Sequence, residues 1–153
     1  MKKLLSGIDR YKSSLMLGTA LLSIALIEYW SIISNALIGD DYGIRDKVSH
    51  IQFMELWQLF SVLQSYMRPL PLLYWWTQYQ FFGESGWQLH LFNIVFHAGN
   101  AFLLFCLLKK LRFSGISSAF ASILFVSMPI APEVVAWPAA SYDLFALFFM
   151  QLT

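Results

Sequence analysis

Two adjacent aspartates, Asp40 and Asp41, stand in "NALIGDDYGIRDK" directly after a long apolar run. Side-by-side carboxylates repel each other and must be hydrated, paired or used. The pair is therefore either a solvated helix end or one edge of an active site. In a site, one carboxylate suits a general base whose pKa its neighbour lifts. The other could orient an acceptor, or the two could hold a divalent cation through oxygen ligands; no cofactor is firmly indicated.

Four more groups of residues could act beside them. Arg68, in "YMRPLPL", precedes a proline that blocks helix continuation. Its planar guanidinium suits a phosphate held through two oxygens, and an interfacial arginine that snorkels is the plain alternative. In "HLFNIVFHAGNAFLL", His90, Asn93, His97 and Asn100 are spaced 3, 4 and 3. On a helix this makes one polar stripe, which serves either a substrate site or bonding between helices. "MPIAPEVVAWPAASYDL" carries Pro129, Pro132 and Pro138 with Glu133 and Asp143. It is a stiff loop anchored by Trp137, or one wall of a pocket. Glu28 is a lone acid within an apolar run, read as a hydrogen-bonded carboxyl in a bundle, with a proton relay as the other reading.

The elements that position these residues are written in an apolar composition. Of 153 residues, 58% are hydrophobic and only 12% are charged, with mean hydropathy +0.59. A soluble domain carries about 25% charged residues, so the expectation is an all-α integral membrane protein. The net charge of +1 gives no footprint for nucleic acid. A lone cysteine, Cys106, in "LLFCLL" excludes a disulfide framework.

Residues 13–38 read as a first span, too long for the core of a secretory signal. Residues 39–86 form an outer loop in which Ile51, Met54, Leu56, Leu59, Phe60 and Leu63 have the spacing of an amphipathic helix. Its aromatic continuation, "YWWTQYQFF", suggests a segment lying in the membrane interface or, as the alternative, a re-entrant hairpin. Pro69 and Pro71 are read as interruptions. Second and third spans are expected over 87–108 and 113–130, and a fourth apolar segment starts near 144. That last run is shorter than the roughly 20 residues of a span, so the chain is expected to belong to a longer protein. Lys2, Lys3, Arg10, Lys12, Lys109, Lys110 and Arg112 outnumber Arg45, Lys47 and Arg68. The bias places the N-terminus and the "KKLR" turn in the cytoplasm and the aspartate pair outside, in the periplasm, extracellular space or a lumen.

In this order, the outward "DD", the amphipathic loop, "RPL", "HLFNIVFHAGN" and "P…PEVVAW…YDL" resemble a known family over residues 13–150. They look like the N-terminal part of C-type (GT-C) integral-membrane glycosyltransferases. The nearest branch is the transmembrane and tetratricopeptide-repeat O-mannosyltransferases, with their bacterial relatives. The resemblance implies a GT-C-like helix bundle, with about three full spans and part of a fourth here and further spans beyond. It implies a polyprenyl-phosphate sugar donor drawn from membrane lipid and a protein or glycan acceptor. It assigns catalysis to Asp40 and Asp41, and substrate binding to Arg68, His90, Asn93, His97, Glu133 and Asp143. Two other readings remain open, a non-enzymatic membrane scaffold subunit and a transporter fragment.

Overall fold

The first apolar run folds as helix α1, Lys2–Tyr29, and tightens into a 3-10 turn over Trp30–Ser34. The tightening falls on "WSIIS", where β-branched and serine residues are poor helix formers. Asn35 is extended (φ −67°, ψ 147°), so the helical path ends short of the expected residue 38. The structure, a computed structural model, describes residues 2–60, 68–128 and 132–153. Leu63 of the expected amphipathic helix and Pro129 lie outside the described residues.

Gly39 turns the chain with a left-handed φ of 52°, a conformation that favours glycine. Helix α2, Asp40–Ser49, starts there. The aspartates therefore open a new helix rather than close the first, and carboxylates in a first turn are favoured by the N-terminal dipole. Residues Phe53–Phe60 are 3-10 rather than α. Helix α3, Pro69–Phe82, is begun by Pro69 and Pro71, not interrupted by them. Proline suits the first turn, where its missing N–H would have no intrahelical partner. The aromatic run thus becomes a packed helix. Trp75 and Leu72 join Val48, Ile51, Leu37 and Leu89 in a small core, and the Trp76 indole N–H donates to the Ile51 carbonyl at 2.8 Å.

Helix α4, Trp87–Lys110, is the central element and packs against α1, α5 (Gly115–Ser127) and α7 (Ser141–Leu152). Its start passes so close to residue 37 that a Cβ at Gly86 would lie 2.9 Å from the Leu37 side chain. Glycine there lets the two segments touch. Leu21, Ala25 and Tyr29 of α1 pack with Ile94, Ala98 and Ala101 of α4. Gly18 lies beside Phe102, and Tyr29 meets His97 edge-on at 5.8 Å. The two helices are therefore antiparallel. The α4–α5 turn, with Lys109, Lys110 and Arg112, lies at the end where α1 begins, and α2 and α3 gather at the other.

Ser114 caps α5, its hydroxyl accepting the Ser117 N–H at 3.0 Å. The helix ends before Met128, which is extended (ψ 129°) because it precedes a proline. At 13 residues it is about 20 Å long, shorter than a hydrocarbon core of about 30 Å, and lies within the expected third span over 113–130. Two described helices, Lys12–Ser34 and Trp87–Lys110, are long and apolar enough to cross a bilayer. The short helix α6, Pro132–Ala136, and a 3-10 turn, Pro138–Ala140, lead into α7, which starts before the expected residue 144. The described residues are all helix, turn or loop, with no strand among them.

Candidate functional site

The two aspartates point to different environments. Asp41 is fully buried. Its Oδ2 accepts the Ile38 N–H at 2.9 Å, while its own N–H donates to the Ile38 carbonyl at 3.1 Å. Its Oδ1 accepts the Ala139 N–H at 2.7 Å. Burial pushes the Asp41 pKa above the ordinary 3.8. The two N–H donors and His90 pull it back, Asp40 adds a push upward, and desolvation dominates.

Asp40 is exposed and lines a half-open cavity of about 430 Å³. Lys47, two turns along the same face of α2, lines it too. Arg68, just ahead of α3, completes the charged set, its guanidinium carbon 3.6 Å from the centre of the Tyr142 ring. That distance makes a close cation–π stack. Trp75 from α3, Trp137 and Tyr142 supply aromatic walls. One carboxylate, two cations and three aromatic rings thus share a cavity of ligand size.

The stripe on α4 is buried along its length, yet its members differ. The Asn93 amide donates to the carbonyls of Val135 at 3.3 Å and Trp137 at 3.5 Å. His97 Nε2 lies 3.2 Å from the Val126 carbonyl, and the Asn100 amide donates to the Leu144 carbonyl at 3.0 Å. Val126 and Val135 sit in last turns, where carbonyls have no intrahelical donor. Asn93 and His97 therefore satisfy helix ends of α6 and α5, and Asn100 ties α7 to α4. His90 is the exception. It is 1% exposed and faces Asp41 and the backbone of Asn35 and Ala136. Neither of its ring nitrogens meets a partner at hydrogen-bonding geometry.

Glu133 lies elsewhere, in an apolar cavity of about 550 Å³ shared with Asn35, Ile38 and Trp137. Trp137 is thus a wall common to both cavities. Asp143 is exposed in the first turn of α7, next to Tyr142 but outside the lining of either cavity. Of the residues expected to act together, Asp40 and Arg68 share a cavity. Asp41 and His90 lie behind it, Glu133 lies across Trp137, and Asn93, His97 and Asn100 run deeper along α4. Lys47 and Tyr142 were not expected. Lys47 would have followed from reading a helix that begins at Asp40, since position i+7 returns to the same face. Tyr142 has no local signal, because its role depends on the stack with Arg68.

Among the described residues no group of three or more His, Cys, Asp or Glu side chains could hold a metal ion. Each Asp41 oxygen is already taken by a backbone N–H. The aspartate pair therefore does not fit a jointly held divalent cation. Comparisons with protein-family models, with curated proteins and with solved structures each gave no match.

Proposed function

We propose that the chain is the N-terminal, membrane-embedded part of a glycosyltransferase that moves a sugar from a polyprenyl phosphate to a hydroxyl acceptor outside the cytoplasm. The observation that carries the reading is the exposed Asp40 carboxylate sharing an aromatic cavity with Arg68 and Lys47. In the proposed step Asp40 accepts the proton of the acceptor hydroxyl, whose oxygen forms a bond to the anomeric carbon. The bond from that carbon to the phosphate oxygen breaks, and polyprenyl phosphate leaves with the electron pair. Arg68 and Lys47 face the negative charge that gathers on the leaving group.

The resemblance of the ordered motifs supports the donor class. Two apolar helices of spanning length, both reaching the cavity end, support delivery of a lipid-borne substrate. The exposed Phe53, Met54 and Trp57 suit the interface in the first outer loop. The Lys/Arg bias, with the "KKLR" turn and the start of α1 at one end, supports an outward-facing cavity.

The bonds from Asn93, His97 and Asn100 to backbone carbonyls favour a packing role for these three. A scaffold subunit built on such bonds is the second reading. Membrane vesicles containing the complete gene product, given radiolabelled polyprenyl-phosphate sugars and a hydroxyl acceptor, separate the two. Transfer that Asp40→Asn removes supports the enzyme. No transfer above empty vesicles with any donor supports the scaffold.

A further inference from the structure

We propose that Asp41 is a positioning residue rather than a second catalytic acid: its carboxylate is a strut that clamps the two walls of the Asp40–Arg68 cavity at a fixed separation. The inference rests on the reading of that cavity as the transfer site. One wall is the start of α2, where Asp40 precedes Asp41 and the Ile38 N–H binds Oδ2 at 2.9 Å. The opposite wall is the turn Trp137–Tyr142, reached through the Ala139 N–H on Oδ1 at 2.7 Å. Ala139 lies two residues after Trp137 and three before Tyr142, whose ring holds the Arg68 guanidinium at 3.6 Å. A single side chain thus sets the base side and the cation side of the cavity relative to each other.

The chemistry explains why a carboxylate does this. Two backbone N–H groups converge on one buried side chain, and only a carboxylate offers an acceptor to both. Asparagine has one acceptor oxygen and presents an NH2 to the remaining N–H. A buried carboxylate is costly to desolvate, so the arrangement is better suited to fixing position than to adding stability. With both oxygens engaged and no exposure, Asp41 cannot also receive an acceptor proton.

The test follows individual amides by hydrogen exchange in the complete gene product in nanodiscs. In the wild type, both the Ile38 and Ala139 amides should be strongly protected. In Asp41→Asn at least one should exchange on the order of 10–100-fold faster, beyond any change shared by amides elsewhere in the protein. Binding of a short-chain polyprenyl phosphate should weaken about tenfold in Asp41→Asn and should not weaken in Asp40→Asn, which removes a negative charge from the cavity. Turnover should show a raised donor KM together with a lowered kcat in Asp41→Asn, against a lowered kcat alone in Asp40→Asn. If Ala139 exchanges in the wild type as fast as an open loop, or Asp41→Asn leaves both amides and probe binding unchanged, the strut is refuted. If the wild type neither binds the probe nor transfers sugar while Asp41→Asn releases an amide, the strut stands and the glycosyltransferase reading fails.

Discussion

The Asp41 carboxylate accepts the Ala139 amide at 2.7 Å across 98 positions of sequence. Its fully buried setting raises its pKa in the folded chain above the ordinary 3.8, through desolvation against two N–H donors and His90. Folding therefore favours the protonated form. That contribution to stability is complete below 3.8 and is lost as pH rises through the raised value. Asparagine at this position cannot titrate. Wild type should lose stability relative to Asp41→Asn as pH is raised from below 3.8 to neutrality, as read by denaturant unfolding in micelles. A difference that stays constant, or grows in favour of the wild type, contradicts the burial argument.

A second expectation separates the members of the α4 stripe by their partners. His97→Leu and Asn100→Leu each remove the bond to a buried carbonyl, and should cost about 1–3 kcal/mol. In a bilayer the cost falls below that range on average, to about 0.6 kcal/mol with an upper end of about 1.7 kcal/mol for interhelical bonds. The His90 ring nitrogens meet no partner at full hydrogen-bonding geometry, and the Asn35 and Ala136 backbones beside them offer weaker bonds than the Val126 carbonyl offers His97. His90→Leu should therefore cost less than His97→Leu, measured by the same unfolding assay. Equal losses at positions 90 and 97 would mean that His90 is bonded in solution.

What was legible in the sequence, and what was not, divides along the range of the interactions. Helix α4 was readable almost to its ends, because a stripe at spacings of 3 and 4 and a closing pair of lysines are local features. Helix α2 was not, because "DDYGIRDKVS" offers only Ile44 and Val48 at helical spacing, too short an apolar pattern to mark a helix. It is held instead by the first-turn acids and by the burial of Asp41 and Val48. By sequence Pro69 and Pro71 read as interruptions, yet proline opens a helix as readily as it breaks one; the deciding context is whether a turn precedes it. The site followed the same rule. Asp40 and Arg68 stood out by residue type, whereas the burial of Asp41 depends on Ala139, and no local pattern marks that partner.

Orientation has its own test, which is independent of any activity. In a Cys106→Ser background, single cysteines in Arg45→Cys and Gln80→Cys should react with an impermeant maleimide added to intact cells. Lys110→Cys should react only after permeabilisation. The structure puts positions 45 and 110 at opposite ends of the antiparallel α1–α4 pair. With the pair crossing the membrane as proposed, the two ends face opposite sides and are not labelled together from one side. Outside labelling at 110 would reverse the proposed topology and remove the cavity from a lumenal or extracellular reaction.

The last expectation concerns Asp40 and Arg68, two of the three charged side chains that line the cavity among the described residues. Asp40 is the carboxylate with access to it, so a general base there should be lost in Asp40→Asn. Removing such a base lowers kcat by about 10²–10⁴, with insertion and yield intact. Arg68 should affect the donor instead. Its guanidinium stacks on Tyr142 at 3.6 Å and can present two parallel N–H groups to a phosphate. Lysine keeps the charge but loses both the stack and the fork, so Arg68→Lys should raise the donor KM about tenfold with a smaller change in kcat. Asp143→Asn, at an exposed position outside the cavity lining, should leave both constants within about twofold, as surface substitutions usually do. The comparison needs only initial rates over a range of donor concentrations in vesicles. Asp40→Asn transferring sugar at the wild-type rate would remove the base from the mechanism and leave the aspartate pair as a helix start. If Arg68→Lys instead lowers kcat alone, the arginine serves the transition state and not donor binding.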